Sequence, residues 1–240
     1  MPEPGRWWIV GASEGLGRAI ARALNVEGAE LILSARYEGR LRDLAEELHA
    51  ARAVPMDVTD AASVARAAAE AGDVDGVIYA AGAYEPMAAT EWKSEAAVNM
   101  AETNFVGALR VVGAVLPALV ARGAGRVVLI GSLSGFRGLP GAIGYGASKA
   151  GLMHLAENLR ADLRCTGVTV QLVNPGFIDT RLTRKNSFRM PQIMSPDAAA
   201  AQVMRAIRLG RFSTSFPAPF AWAFTLGRHL PLALFQRMFR

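Results

Sequence analysis

Cysteine is almost absent from this chain, since Cys165 is the single cysteine among 240 residues. One cysteine excludes an internal disulfide and leaves no cluster of thiolates for a metal ion. The three histidines, His49, His154 and His229, are scattered along the chain, without the close spacing that metal ligands usually show. We therefore expect neither a disulfide-stabilised fold nor a metal centre.

Long apolar runs are also missing. No segment has about twenty uninterrupted apolar residues, the length that a spanning helix needs, so we expect no such helix. The first residues, 1–6, lack the basic start and the apolar run of a signal peptide. Together these two absences predict a cytoplasmic protein.

Acidic residues are scarce in the last quarter of the chain. From Thr180 onward there are ten Arg or Lys and a single acid, Asp197, a net charge of +9. The first 179 residues have sixteen bases and twenty acids, a net charge of −4. The basic residues are too sparse for a nucleic-acid-binding stripe and no such motif accompanies them. We expect no nucleic-acid partner, and an anionic substrate, an anionic membrane surface and simple solubility stay open as explanations.

The chain does contain a regular alternation of strand and helix patterns. With 52% apolar residues, it predicts an α/β fold: a single doubly wound domain over residues 1–240, with a mostly parallel sheet of about seven strands flanked by helices. The predicted strands are residues 7–10, 29–33, 53–56, 74–81, 126–130, 168–173 and 211–216. The predicted helices include residues 38–50, 90–100, 101–122 and 145–164, and Thr59 or Asp60 caps a further helix.

A glycine-rich turn follows the first predicted strand. Residues 11–17 read Gly-Ala-Ser-Glu-Gly-Leu-Gly, and a helical pattern begins immediately afterwards. Glycines at this place let the backbone approach a phosphate, whose charge is favoured by the helix N-terminus. A tight strand-to-helix turn without a ligand is the alternative interpretation.

Arg36 lies at the end of the second predicted strand, where a dinucleotide fold contacts the adenosine ribose. An acid there would accept a hydrogen bond from the 2′-hydroxyl, whereas Arg36 suits a 2′-phosphate. Tyr37 can stack on adenine, and Arg40 is a weaker second candidate for the phosphate. An exposed Arg36 without a ligand is the alternative.

Tyr145 and Lys149 are four residues apart on a predicted helix, so their side chains share one face. A free tyrosine has a pKa of about 10, and a neighbouring ammonium lowers this pKa because it favours the phenolate. Such a tyrosine can act as a general acid or base. Ser132 lies thirteen residues before Tyr145 at the end of a strand, with Ser134 as its competitor. The Tyr-Lys pair alone also fits the surface of an amphipathic helix.

The predicted position of these features in the sheet favours a ligand-binding site. Ligands of doubly wound sheets bind at the carboxyl ends of the strands. The features predicted at that edge are the glycine-rich turn, Arg36, Asp57, Gly82, Ser132 and Pro175.

In order and spacing, these motifs resemble the short single-domain branch of the short-chain dehydrogenase/reductase family over about residues 6–200. The family's Thr-Gly-x3-Gly-x-Gly turn matches residues 10–17, and its Asn-Asn-Ala-Gly segment matches residues 79–82. Its active-site tetrad matches Asn104, Ser132, Tyr145 and Lys149. Its Pro-Gly segment matches residues 175–180. Two departures are Val10 in place of Thr and Tyr79-Ala80 in place of the Asn pair, and we expect them to alter local hydrogen bonding but not the chemistry.

The resemblance implies a role for each member of the tetrad. Tyr145 exchanges a proton with the substrate oxygen, and Ser132 hydrogen-bonds that oxygen. Lys149 lowers the tyrosine pKa and binds the nicotinamide ribose, and Asn104 supports a proton-relay water. The cofactor-binding residues that it implies are Gly11, Ser13, Glu14, Gly15, Leu16, Gly17, Arg36, Asp57, Val58, Ala81, Gly82, Tyr145, Lys149, Pro175, Gly176, Ile178 and Thr180.

The chain is thus expected to be an oxidoreductase that moves hydride between NADP(H) and a carbonyl or secondary alcohol of a hydrophobic small molecule. Glu14 counts mildly against the 2′-phosphate, but Arg36 outweighs it, and NAD(H) stays as the alternative. A protein that binds NADP(H) without turnover, as a sensor or scaffold, is the competing function.

Two segments complete the sequence-based expectations. Residues 180–195 are expected to cover the substrate, with Arg181, Phe188, Met190 and Met194 among them. Residues 217–240 form an apolar, basic segment that packs on its own domain or on a second subunit; peripheral membrane contact is an alternative that is not favoured. By resemblance we also expect a homodimer or homotetramer.

Overall fold

Seven parallel strands form one sheet in the order β3-β2-β1-β4-β5-β6-β7, with helices on both faces. The structure is a computed structural model and describes residues 5–239. The sequence-based expectations for residues 1–4 and for residue 240 lie outside the described residues.

The strands are β1 (Arg6–Val10), β2 (Glu30–Ser34), β3 (Ala51–Ala53), β4 (Gly76–Tyr79), β5 (Gly125–Ile130), β6 (Val168–Pro175) and β7 (Ser213–Phe216). The α-helices are α1 (Gly15–Val26), α2 (Glu38–Glu47), α3 (Ala61–Ala71), α4 (Ser94–Ala101), α5 (Gly107–Arg122), α6 (Ile143–Asp162), α7 (Pro196–Leu209), α8 (Phe220–Thr225) and α9 (Leu232–Arg237). Asp60 is the N-cap of α3, where its side chain accepts a hydrogen bond from the Ala62 amide.

Strand β1 shows how the sheet is buried on both faces. Its Trp7 and Ile9 belong to the core formed with α1, α2 and α7, and Trp8 and Val10 belong to the core formed with α3, α5 and α6. Because successive strand residues point to opposite faces, a continuous apolar run is what a strand covered on both sides requires. The predicted α/β fold with a parallel sheet is confirmed.

The chain reverses direction across the sheet between β3 and β4. It winds from β1 through β2 to β3 and then returns to the other side of β1 with β4. This reversal leaves a crevice at the carboxyl ends of β1 and β4, the place where ligands bind in open α/β sheets. The backbones at this point are close, because a Cβ on Gly11 would lie 2.5 Å from the Ala81 amide nitrogen.

The bounds of β3 were predicted wrongly. Residues 53–56 were expected as the strand, whereas β3 pairs Ala51 with Leu31 and Ala53 with Leu33. Val54 and Met56 are buried, and their amides bond to the Leu33 and Ala35 carbonyls beyond the end of the strand. The apolar run therefore indicated burial and not the extent of the ladder.

The helix bounds between residues 90 and 122 also differ from the prediction. α4 begins at Ser94, after a 3₁₀ turn at Ala89–Glu91, and a π-helical turn at Glu102–Val106 separates α4 from α5. The carbonyl of Thr103, inside this π turn, accepts a hydrogen bond from the Tyr79 hydroxyl. The sequence predicted two helical stretches that meet at residues 100 and 101, but it did not predict the π-helical turn that begins at Glu102.

The stretch Ser94–Arg122 is long and apolar enough to cross a membrane by length and composition alone. Val111, Val112 and Val115 in this stretch are buried in the core beneath the sheet. A core helix that packs against a sheet can be as long and as apolar as a helix that spans a membrane, so this stretch is weak evidence for a membrane span.

The C-terminal segment is partly buried on its own domain. Ala221, Phe224 and Phe235 form a small apolar cluster with Leu133, which lies just after β5. Other side chains of the segment are exposed, namely Trp222, Leu226, Leu232, Leu234 and Met238.

Candidate active site

A cleft of about 390 Å³ opens at the carboxyl edge of the sheet. Of the residues predicted for the site, those that line the cleft are Gly11, Ser13, Glu14, Gly15, Leu16, Gly17, Arg36, Val58, Ala81, Gly82, Ser132, Tyr145, Lys149, Pro175, Gly176, Ile178 and Thr180. The fold therefore brings together residues from both halves of the chain.

The glycine-rich turn has a backbone that other residues would not adopt. Gly11 and Gly15 have φ angles of 93° and 56°, in the region that favours glycine. A Cβ on Gly17 would lie 2.0 Å from the Gly11 carbonyl oxygen. These glycines let the turn bend tightly into α1, which begins at Gly15. The amides at the start of a helix form a site for an anion.

Glu14 lies in this turn between two arginines. Its Oε1 is 2.6 Å from Arg181 Nη2, and its Oε2 is 2.8 Å from Arg40 Nη1. The hydrogen bond from Arg181 is the largest of several contacts that lower the pKa of Glu14, against the effect of burial. The carboxylate is therefore balanced by cations from the loop after β6 and from the start of α2.

Arg36 follows β2 and is exposed beside the cleft. Within residues 5–239, no ion pair or side-chain hydrogen bond is formed by Arg36. The adjacent Tyr37 has 54% of its surface exposed, and the Arg40 guanidinium lies 5.2 Å from its ring centre. Arg40 is thus engaged with both Glu14 and Tyr37, whereas Arg36 keeps its charge available to a ligand.

Ser132 lies at the end of β5 and is 8% exposed. Its Oγ accepts a hydrogen bond from the Ser134 amide at 3.2 Å and one from the Ser134 hydroxyl at 3.0 Å. These bonds hold Ser132 at the start of a short 3₁₀ turn, Leu133–Gly135. The two serines are therefore neighbours in one site, and only Ser132 of the two lines the cleft.

Lys149 is 4% exposed, and its Nζ donates a hydrogen bond of 2.8 Å to the Ile130 carbonyl. Burial lowers the pKa of this ammonium to about 8. Nζ lies 5.8 Å from the centre of the Tyr145 ring. The lysine is thus held between the end of β5 and the tyrosine on α6.

The pKa of Tyr145 is shifted by burial and by two neighbouring hydroxyl groups. Burial raises the pKa of Tyr145 to about 12, a hydrogen bond with Ser132 lowers it in part, and the nearby Tyr84 raises it. Lys149 is not among the groups that shift this pKa in the structure, and its expected lowering of the tyrosine pKa stays a prediction.

Asn104 and Asp57 were predicted for the site but do not line the cleft. Asn104 is fully buried, and its side chain bonds to the Ala83 amide at 2.7 Å, the Ala83 carbonyl at 3.0 Å and Ser148 Oγ at 2.9 Å. Asp57 Oδ1 accepts from the amide and hydroxyl of Thr59. Each therefore braces a backbone next to the cleft.

Val10 and Tyr79, two residues that depart from the family pattern, are both buried. Tyr79, in the place of the first Asn, is buried, and its hydroxyl reaches the carbonyl of Thr103. Gly107 leaves room for that hydroxyl, because a Cβ there would lie 2.5 Å from Tyr79 Oη. Val10 is buried in the core at the end of β1.

The segment 180–195 is bonded to the opposite side of the cleft. Asn186 Oδ1 accepts a hydrogen bond of 2.6 Å from the Tyr84 hydroxyl, and Lys185 pairs with Glu85 at 2.7 Å. The Tyr84 ring in turn packs edge-on against Tyr145, with 5.0 Å between ring centres. The segment therefore reaches over the tyrosine through residues that follow β4.

Sequence reasoning missed several residues of the cleft. Met56 and Thr103 line it, and so do Leu182, Thr183 and Arg184, which belong to the segment 180–195 that was expected to cover the substrate but were not named singly. Met56 and Thr103 directly precede predicted site residues, so their place at the same sheet edge was available as a signal.

A family model described as short chain dehydrogenase matches residues 7–190 of the chain. An uncharacterized oxidoreductase of Myxococcus xanthus is 38% identical over 236 residues, which cover 95% of this chain and 93% of that protein. The 3-oxoacyl-(acyl-carrier-protein) reductase FabG of Salmonella typhimurium is 35% identical over 181 residues, 73% of this chain and 74% of that protein.

A solved structure shows the same fold. It is a short chain dehydrogenase from Burkholderia cenocepacia in complex with NADP, with a TM-score of 0.85 and 30% identity. The match covers 94% of this chain and 92% of the other.

Proposed function

This chain belongs to the short-chain dehydrogenase family, and from that premise we propose that it transfers hydride between NADP(H) and a carbonyl or secondary alcohol, with Tyr145 as general acid and base. The observation that supports this most is the meeting of Ser132, Tyr145 and Lys149 in the cleft that begins at the glycine-rich turn. NAD(P)-dependent oxidoreduction is the activity of the family; the substrate and the residue roles are our proposal.

The described residues fit a dinucleotide. The turn from Gly11 to Gly17 leaves no space for side chains on its inner side, so an anion can reach the amides at the start of α1. Tyr37 offers a ring for the adenine, and Arg36 offers an available charge for a 2′-phosphate. The relative from Burkholderia cenocepacia is in complex with NADP, which agrees with NADP(H) in preference to NAD(H). When bound, the nicotinamide supplies or accepts the hydride, which side chains cannot do.

Tyr145 is proposed to give its proton to the carbonyl oxygen as reduction proceeds, and to take it back in oxidation. A buried hydroxyl whose pKa is raised to about 12 holds its proton until negative charge develops on the substrate oxygen. Ser132 donates a second hydrogen bond to the same oxygen, and fixed donors of this kind stabilise the charge as it forms.

Lys149 is proposed to replace the proton that Tyr145 gives up. Its pKa of about 8 lies close to neutral pH, so the ammonium can release and regain a proton readily. Its hydrogen bond to the Ile130 carbonyl keeps Nζ on the side of the tyrosine. The balance for reduction is one hydride to carbon and one proton from Tyr145 to oxygen, with a proton returned from water through Lys149.

Aromatic side chains that follow β6, among them Phe220 beside the cleft residue Gly176, favour a neutral, hydrophobic substrate. Phe177 stacks with Phe220 and meets Phe188 edge-on, with ring centres 5.7 Å and 5.8 Å apart. Three basic side chains of the covering segment are paired, Arg181 with Glu14, Arg184 with Asp179 and Lys185 with Glu85. An anionic substrate would therefore compete with existing ion pairs, whereas an apolar one meets aromatic rings.

The test is turnover by the Tyr145→Phe variant. Purified protein is supplied with NADPH and a panel of aliphatic and aromatic ketones and aldehydes, and loss of nicotinamide absorbance is followed. We expect the wild type to reduce members of the panel, and the variant to lose activity by at least about a hundredfold, since general acid catalysis contributes that much. NADPH affinity, measured by fluorescence, should be unchanged within a few-fold.

Turnover by Tyr145→Phe at the wild-type rate would refute the role of the tyrosine. Tight NADPH binding by a wild type that reduces no member of a broad panel would instead favour the competing function, a sensor or scaffold. Assembly as a homodimer or homotetramer is part of the proposal, and light scattering at several protein concentrations measures it.

A further inference from the structure

Ser134 bonds to Ser132 twice and has no part in the function described above. Its amide and its hydroxyl lie 3.2 Å and 3.0 Å from Ser132 Oγ. A serine hydroxyl has one hydrogen to donate and two lone pairs to accept with. The amide bond occupies one lone pair of Ser132, and a hydrogen bond donated by the Ser134 hydroxyl fills the other, which leaves the Ser132 hydrogen for a further partner.

We propose that Ser134 is a positioning residue that fixes Ser132 as a hydrogen-bond donor toward the substrate oxygen and Tyr145. Only a donor stabilises the negative charge that forms on that oxygen. Without Ser134, the Ser132 hydroxyl is free to accept instead, for example from the proton of Tyr145 itself. Ser134 thus selects between two orientations of the same hydroxyl.

The backbone around Ser134 supports a fixed position for it. Ser134 lies within the turn Leu133–Gly135, and Gly135 is pressed against α6. A Cβ on Gly135 would lie 2.5 Å from Met153 Sδ and 3.0 Å from the Lys149 carbonyl carbon. The turn that holds Ser134 therefore packs on the helix that bears Tyr145 and Lys149, and this packing fixes the distance between the two serines and the tyrosine.

A donated hydrogen bond from Ser132 favours the phenolate of Tyr145. The other titratable groups that face Tyr145 are Lys149 on the same helix and Tyr84 after β4, and Tyr84 is followed by Glu85, which is paired with Lys185. None of these is altered by a change at Ser134. Loss of the Ser134 hydroxyl should therefore raise the pKa of Tyr145.

The inference rests on the proposed function, and the experiment separates the two. Ser134→Ala removes one of the two bonds to Ser132, Ser134→Thr keeps the hydroxyl, and Ser94→Ala is the matched control on the exposed start of α4. Two quantities are measured as functions of pH. The first is kcat/KM, both for a ketone that the wild type reduces and for the corresponding alcohol. The second is phenolate absorbance, from which the absorbance of a Tyr145→Phe background is subtracted.

For Ser134→Ala we expect kcat/KM to fall roughly 3- to 10-fold, which corresponds to one neutral hydrogen bond. The pH dependence of alcohol oxidation and the phenolate titration of Tyr145 should both move up by roughly 0.4 to 1 pH unit. Ser134→Thr and Ser94→Ala should leave both curves in place. A merely structural role for Ser134 would lower the melting temperature without moving either curve.

Three results would overturn the inference. The first is a phenolate titration that Ser134→Ala leaves unchanged in a protein of wild-type melting temperature. The second is a shift to lower pH, which would mean that Ser132 donates to Ser134 in the native site. The third is an equal shift in Ser134→Thr. The absorbance titration reads Tyr145 directly, so it decides the inference even where Tyr145→Phe keeps its activity and the proposed function fails.

Discussion

The cofactor preference can be tested most sharply at Arg36. The side chain is exposed beside the cleft and forms no ion pair with another residue of the described part of the chain. The Arg36→Ala variant therefore loses a positive charge that could bind a ligand, and no residue inside the described part of the protein loses an ion-pair partner. We expect the variant to bind NADPH more weakly and NADH as before, because only NADPH has the 2′-phosphate.

The size of the effect follows from the contact that Arg36 would make. A hydrogen bond to a charged group contributes about 1.5 to 3 kcal/mol, which corresponds to roughly 10- to 150-fold in affinity. Arg36 is exposed and salt screens such contacts, so we expect the lower end, about tenfold, near physiological ionic strength. The remaining cations at this edge, Arg40 and Arg181, are shared with Glu14 and limit the loss.

The assay compares dissociation constants for NADPH and NADH by fluorescence, at low and at physiological salt, for wild type, Arg36→Ala and the control Arg205→Ala. Arg205 is also an exposed arginine, but it lies on α7 outside the cleft. The tenfold loss should be confined to NADPH and to Arg36→Ala, and it should shrink as salt rises. An equal loss for both cofactors would mean that Arg36 supports the fold of the turn, and no loss for either would refute its role in binding the phosphate.

Two further predictions concern the tyrosine and the lysine. Tyr84→Phe removes the hydrogen bond to Asn186 but keeps the ring against Tyr145, so KM for the substrate should rise roughly 2- to 10-fold with kcat little changed; a fall in kcat alone would contradict this. Burial lowers the pKa of Lys149 from 10.5 to about 8, so the unfolded chain binds more protons between those pH values, and the free energy of unfolding should rise with pH in that window. The rise should be on the order of 3 kcal/mol, measured by urea unfolding, and Lys149→Met should lack it. Lys149 dominates the pH dependence of the free energy of unfolding only below about pH 10. Above that pH, tyrosine titrates in the unfolded chain, and the raised pKa of Tyr145 makes the free energy of unfolding fall as pH rises.

The fold and the edge of the sheet that carries the site were both predictable, because each depends on patterns along the chain. Strand β1 is a continuous apolar run that ends at Gly11, and burial on both faces is what such a run indicates. Ser132 and Gly82 follow strands, so the rule that places ligands at strand ends located them without knowledge of the loops. The single-domain interpretation of residues 1–240 stays a prediction.

The contacts that set the chemistry were not predictable, because they join residues that are far apart in sequence. The bond of Lys149 Nζ to the Ile130 carbonyl decides where the ammonium points, and a spacing of four residues between Tyr145 and Lys149 says nothing about it. The brace from Asn104 to Ala83 joins residues 21 positions apart, and Asn104 lies in the π turn, which the sequence did not predict.

Glu14 shows how such a contact reverses an argument made from the sequence. From the sequence, Glu14 counted mildly against NADP(H), because a basic residue at that place would help to hold the phosphate, although Arg36 outweighed it. In the structure its charge is shared by Arg40 and Arg181, which come from α2 and from the segment after β6. The formal charges of Glu14, Arg40 and Arg181 sum to +1, and the charge of Arg36 brings the total to +2. A phosphate monoester with about −1.5 to −2 charges at neutral pH matches that total, whereas a 2′-hydroxyl does not. The carboxylate then serves to hold two arginines at the edge where the phosphate would bind, which favours NADP(H).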